Sequence, residues 1–136
     1  MLLPDLQRAL SPDTEVIVVN DGSTDNTEAV CATQGVRMVS HPFPRGNGAA
    51  IKTGARAAKG DILVFMDADG QHQPKDIVRL LEKLYDGFDM VVGARRGEHY
   101  WGSTSKRLTR LLLLRLVNFV VGTTIPDVNS GMRIFR

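Results

Sequence analysis

The sequence predicts an α/β domain: a mostly parallel sheet with helices packed on its faces. Short apolar runs alternate with segments of helical period, Gly, Asp and Pro punctuate the segments between them, and 43% of the 136 residues are apolar. Seventeen Lys and Arg against fifteen Asp and Glu, with a single Cys, exclude a disordered chain and a disulfide scaffold. A chain of this length buries roughly two-thirds of its unfolded surface, enough for one core. Residues 1–136 are therefore expected to form a single domain.

Val16 to Val19 is continuous, β-branched and closed by Asn20-Asp21-Gly22, the signature of a strand buried on both faces. Ser23 or Thr24 is the expected cap of the next helix, with Asp25 and Glu28 in its first turn and Gly35 at its end. Val36 to Ser40 reads as a second strand. His41 to Gly46 is a loop on its two prolines, and Asn47 to Lys59 an Ala-rich helix followed by Gly60. Ile62 to Met66 is the next strand. Pro74 suits a first helical position, and Ile77, Val78, Leu81, Leu84 and Tyr85 recur at helical spacing as far as Gly87. Phe88 to Gly93 is a further strand. A long helix capped by Ser103 runs to about Val121, basic at first and apolar on nearly every side from Leu111. Arg115 interrupts its apolar run, which falls short of the ~20 residues that span a bilayer. Such a helix suits a bilayer interface or burial against protein.

Charge divides along the chain. Residues 1–94 carry nine basic and thirteen acidic side chains, residues 95–136 eight and two. A basic end on an acidic body suits an anionic partner such as phosphate, nucleic acid or lipid head groups, or a solvated basic face. No leader opens the chain, so a reducing, cytoplasmic setting is expected, with peripheral attachment at a membrane and no span.

Ligands of open α/β sheets bind outside the carboxyl ends of the strands. Asp21 follows one strand, and Asp67 and Asp69 follow another. Asp67-x-Asp69 offers two hard oxygen ligands, suited to Mg²⁺ or Mn²⁺ with water and phosphate completing the shell. A solvated turn is the plain alternative. So is an Asx turn at Asn20-Asp21-Gly22. Gly46-Asn47-Gly48 fails as a dinucleotide fingerprint because Ile51 stands where the third glycine belongs.

Asn20-Asp21-Gly22-Ser23-Thr24-Asp25, Gly46-Asn47-Gly48 and Asp67-Ala68-Asp69-Gly70-Gln71-His72-Gln73-Pro74 stand in an order that resembles family 2 glycosyltransferases of the GT-A fold. Gly93-Ala94-Arg95 and Asp127-Val128-Asn129-Ser130-Gly131-Met132-Arg133 resemble the polyprenyl-phosphate branch, typified by dolichol-phosphate mannosyltransferase. The resemblance implies metal-dependent, inverting transfer of a sugar from a nucleotide diphosphate sugar, of GDP-mannose or UDP-glucose type, to a polyprenyl phosphate, with no nucleic-acid partner.

It also implies residue roles. Asp67, Asp69 and Arg95 match catalytic positions. Asp21, Gly22, Ser23, Asp67, Ala68, Asp69 and Arg95 match the nucleotide-sugar contacts. Asp67, Asp69 and Gln71 match the metal ligands, and Arg95 and Arg107 match contacts to acceptor or phosphate. Ser130 and Arg133 carry no assigned role. His72 and Arg96 have plain surface readings, and Tyr100 and Trp101 stand between an acceptor lid and a packed loop.

Members of the family begin with an apolar strand ending near a Pro-x-Tyr/Phe-Asn-Glu segment, where this chain has Met1-Leu2-Leu3-Pro4-Asp5. The expectation is a domain truncated at both ends that lacks its first, central strand. The strands at 16–19 and 62–66 then either pair directly or leave edges open to a partner or to self-association. Two other functions compete: a non-catalytic fragment that binds partners, and a phosphatase. The Asp-x-Asp-Gly turn resembles the first motif of haloacid-dehalogenase-type phosphatases, but Gln71 stands where those have Thr or Val.

Overall fold

The computed structural model describes residues 2–95, 104–127 and 130–136, with the backbone alone for 104–108 and 110. They fall into two compact units, one formed by residues up to Phe65 together with Arg136, the other by Met66–Phe135.

The first unit opens with a helix, α1 (Leu2–Ala9), in a segment to which the sequence reading assigned none. Asp5 in its first turn and Arg8 in its last pair at 2.6 Å one turn apart. Pro4 lies in the first turn, where its missing N–H costs no hydrogen bond. Leu6 is buried, and Gln7 Nε2 donates to the Gln34 carbonyl at 3.0 Å.

Strand β1 (Ile17–Asn20) pairs in parallel with β2 (Arg37–Ser40), Val18 opposite Met38 and Val19 opposite Val39. That sheet is two-stranded, so the direct pairing of β1 with β3 (Leu63–Phe65) does not occur among the described residues. Helix α2 (Thr27–Thr33) begins later than predicted and Asn26, not Ser23 or Thr24, is its N-cap residue. The reason is local: Asn20 Oδ1 accepts the Ser23 N–H at 2.9 Å and holds the chain in a turn before the helix. Asp25 then takes the Thr27 N–H at 3.0 Å and its hydroxyl at 2.5 Å. Helix α3 (Asn47–Ala57) packs on β1, where Gly54 leaves room for the Val19 side chain.

In the second unit, α4 (Pro74–Tyr85) starts with a reciprocal capping box between Gln73 and Asp76. It buries Ile77, Leu80 and Leu84, whereas Val78 and Tyr85 of the predicted apolar face are exposed. Strand β4 (Met90–Val92) is shorter than predicted. It pairs antiparallel with an unpredicted strand, β5 (Arg133–Phe135), Val91 opposite Ile134. Helix α4 packs on both strands, and Leu84, Met132 and Ile134 are fully enclosed. Helix α5 (Thr104–Val121) follows the predicted span. Leu112, Leu116, Phe119 and Val120 are all exposed, consistent with an apolar surface on nearly every side. No helix among the described residues is long and apolar enough to cross a membrane.

Candidate active site

In the first unit the polar groups gather where β1 and β2 end. Asp21 is the residue after β1, and its carboxylate turns toward the segment that follows β2. Oδ1 meets His41 Nδ1 at 2.6 Å and accepts the Arg45 N–H at 2.9 Å, and Oδ2 accepts the Gly46 N–H at 2.8 Å. His41 is buried, and its Nε2 lies 2.8 Å from Thr53 Oγ1 on α3. The His41 hydrogen bond, helped by the two amides, holds the Asp21 carboxyl below its ordinary pKa.

The turn and the loop are also in steric register. Gly22 has φ +77°, and a Cβ there would stand 2.7 Å from Pro44 N and 2.8 Å from the Phe43 carbonyl carbon. The Asx turn closing on Gly22 that the sequence suggested is not what forms: Asn20 reaches the Ser23 amide three residues on, and Asp21 holds the neighbouring loop.

In the second unit Asp67 and Asp69 precede α4. Asp69 Oδ1 accepts the Gln71 N–H at 3.0 Å. Asp67 lies against Gly131, in the space that a side chain at 131 would take. Gln71 Oε1 accepts from Arg95 Nη1 at 2.9 Å, and Arg95 Nε donates to Asp127 Oδ2 at the same distance. Asp127 also accepts the Arg95 amide at 3.2 Å and Nη2 at 3.3 Å, and its carboxylate is fully buried. This fixes the plane of the guanidinium through several bonds to one carboxylate. Ser130, also fully buried, donates its hydroxyl to the Gly93 carbonyl and accepts the Met132 N–H at 3.2 Å. Its carbonyl accepts from Arg133 Nε at 3.1 Å. Gly93-Ala94-Arg95 and Ser130-Gly131-Met132 are thereby locked side by side, and the Gly93 N–H donates to the Met132 carbonyl at 2.9 Å.

The donor set suits a hard divalent cation. Asp67 and Asp69 offer carboxylate oxygens, the absence of a side chain at Gly131 makes room for Asp67, and Gln71 keeps a second lone pair on the oxygen that Arg95 engages. No cluster of three His, Cys, Asp or Glu occurs among the described residues, so the remaining positions would fall to Gln71, water and a ligand's own oxygens. His72 is buried rather than exposed, with Nε2 lacking a hydrogen-bond partner among the described residues. The Arg107 side chain, Arg96, Tyr100, Trp101 and the Ser103 cap lie outside what is described.

His41, Thr53 and Asp127 carried no assigned role in the sequence reading. His41 was nonetheless discoverable, since it is the first residue after β2, the same kind of position that singled out Asp21. Asp127 stood in a quoted motif, but its partner is 32 positions away and no local pattern names it.

Residues 4–136 match the family model described as glycosyl transferase family 2. The chain belongs to that family. It is 30% identical over 138 residues to the dolichyl-phosphate hexose transferase of Haloferax volcanii, covering 99% of this chain and 59% of that protein. It is 34% identical over 133 residues to the undecaprenyl-phosphate 4-deoxy-4-formamido-L-arabinose transferase of Aeromonas hydrophila, covering 93% and 40% respectively. Among solved structures, the glucosyl-3-phosphoglycerate synthase of Mycobacterium tuberculosis in complex with Mn²⁺, UDP and glucosyl-3-phosphoglycerate matches with a TM-score of 0.69 at 27% identity, over 98% of this chain and 51% of that one. The chain spans about half the length of the curated relatives it matches. With these likenesses the α/β fold is of the GT-A type.

Proposed function

We propose that this chain carries donor-site machinery for transferring a sugar from a nucleotide diphosphate sugar to a polyprenyl phosphate, with inversion at the anomeric carbon. The observation that carries the reading is the Asp67-x-Asp69 pair, with Asp67 seated against Gly131 and Gln71 tied to the Asp127-anchored Arg95. Support for the acceptor class comes from the names of the relatives, and for the donor class from the Mn²⁺ and UDP complexes of the matched structures.

Asp67, Asp69 and Gln71 would hold Mg²⁺ or Mn²⁺, which when bound neutralises charge growing on the departing nucleoside diphosphate. Asp21, with Gly22 and Ser23 in its turn, receives the nucleoside. Ala68 lies between the two carboxylates and contacts the sugar nucleotide. Arg95 and Arg107 position phosphate oxygens. The acceptor oxygen forms a bond to the anomeric carbon from one face, and the bond to the diphosphate oxygen breaks on the other, the electron pair leaving with the nucleoside diphosphate. A phosphate monoester is largely ionised near pH 7, so the attack needs orientation more than a strong base. The exposed apolar residues of α5 and the basic C-terminal third suit peripheral contact with an anionic membrane on the cytoplasmic side.

The test is calorimetric titration of the chain with GDP-mannose and UDP-glucose, with and without Mn²⁺, beside Asp69→Ala. The expected result is binding that requires the metal and is lost in the variant. Metal-independent binding, or full binding by Asp69→Ala, overturns the reading.

A further inference from the structure

The carboxylate of Asp21 is nearly saturated before any ligand arrives. A carboxylate oxygen accepts about two hydrogen bonds in its plane. Oδ1 already meets the His41 imidazole and the Arg45 amide, and Oδ2 already takes the Gly46 amide. One acceptor position is left, on Oδ2.

That distribution depends on a relay reaching back into the unit. His41 is buried after β2, and Thr53 on α3 engages its far nitrogen. With neutral imidazole, the acceptor-only Asp21 carboxylate requires the proton on Nδ1, and Nε2 then accepts the Thr53 hydroxyl, which holds the ring with its donor aimed at Oδ1. The side chain of His41 is 5% exposed and that of Asp21 27%, so the supporting group is sequestered while the supported one reaches solvent. Gly22 brings the backbone of Phe43 and Pro44 against the turn, which prevents the loop amides from being replaced by water without moving the chain.

Nucleobases differ in what they present to a carboxylate. Guanine offers two adjacent donors, N1–H and the 2-amino group, which a carboxylate meets with both oxygens. Uracil offers one, N3–H. We infer that His41 and Thr53 are positioning residues that leave Asp21 a single acceptor, so that the site selects a uracil-type nucleotide over a guanine nucleotide. This rests on the donor-site reading above and deepens it by naming the base class. Guanine then meets Asp21 with one of its two adjacent donors, and the second gains no protein acceptor in exchange for the water it gives up, which weakens binding relative to a base whose single donor is met.

The experiment measures UDP and GDP affinities in Mn²⁺ for the full chain and for His41→Asn, His41→Leu and Thr53→Val, each checked for folding by thermal melting. The amide nitrogen of Asn reproduces the Nδ1 donor, whereas Leu preserves bulk alone. Expected are UDP binding at least roughly tenfold tighter than GDP in the wild type, retention of that preference in His41→Asn, and its collapse toward equality in His41→Leu. Thr53→Val is expected to reduce the preference in part, and it keeps the test decisive should His41→Leu fail to fold.

GDP binding as tight as UDP, or His41→Leu keeping the full preference, overturns the inference while leaving the donor-site reading standing. A folded wild-type chain that binds neither nucleotide overturns both.

Discussion

The carboxylate of Asp67 occupies the space that a side chain on Gly131 would need. The glycine serves as a steric recess for Asp67, since its φ is not in the left-handed region. Gly131→Ala therefore forces the Asp67 side chain to swing away, because the added Cβ is fixed to backbone that Ser130 locks to Gly93 on its other side. The expected outcome is a loss of Mn²⁺-dependent nucleotide binding of about tenfold or more, equivalent to at least about 1.4 kcal/mol. Calorimetry reads the affinity, and a preserved circular dichroism spectrum separates this effect from misfolding.

Asp127 and Arg95 form an ion pair almost wholly removed from water, with side-chain exposures of 0% and 14%. Removing one partner of such a pair takes the compensating charge from a group held largely out of water, at a typical cost of about 3–5 kcal/mol. Asp127→Asn keeps the shape and removes the charge, so it is expected to lower stability within that range. Urea denaturation followed by fluorescence checks it. An exposed pair such as Arg8 with Asp5, at 77% and 46%, is expected to contribute well under about 1 kcal/mol by the same measurement.

Gly22 is constrained twice. Its φ of +77° is unfavourable for a residue with a Cβ, and that Cβ would meet Pro44 N at 2.7 Å. Gly22→Ala is expected to destabilise the first unit by about 1–3 kcal/mol and to weaken nucleotide binding, because the loop carrying the Arg45 and Gly46 amides must move off Asp21. Denaturation and calorimetry on the same variant read the two effects.

What the sequence disclosed follows from which interactions are local. The strands at β1, β2 and β3 and the helices α3 to α5 were legible because apolar runs and their Gly and Pro boundaries act over a few residues. The start of α2 was misplaced because Ser23 has cap chemistry, yet its amide is committed to Asn20. Helix α1 was overlooked because its segment was read only as the place where the family's first strand is missing, although Asp5 and Arg8 stand one turn apart. Strand β5 is three residues long, and its place is set by antiparallel pairing with β4 more than forty positions earlier. The same holds for the candidate site. Asp21, Asp67 and Asp69 announce themselves by following strands, whereas His41 with Thr53, and Asp127 with Arg95, become partners only through tertiary packing.

The hydrogen bonds on Asp21 also make a prediction about acid. Its carboxyl titrates below the ordinary aspartate value in the folded chain, first because of His41 and then because of the Arg45 and Gly46 amides. A carboxyl that is more acidic folded than unfolded binds fewer protons in the native state, so it contributes stability above the unfolded pKa. That contribution is lost as pH falls through the folded value. Glu15, lowered chiefly by Arg37, and Asp25, lowered chiefly by Thr27, add to the same trend. The urea midpoint is therefore expected to be flat from about pH 6 to 5 and to drop progressively below about pH 4. Asp21→Asn retains the other two groups, so its curve should start lower and fall less steeply over that acid range. Parallel curves for the two proteins, with no convergence toward low pH, would show that Asp21 carries no linked proton.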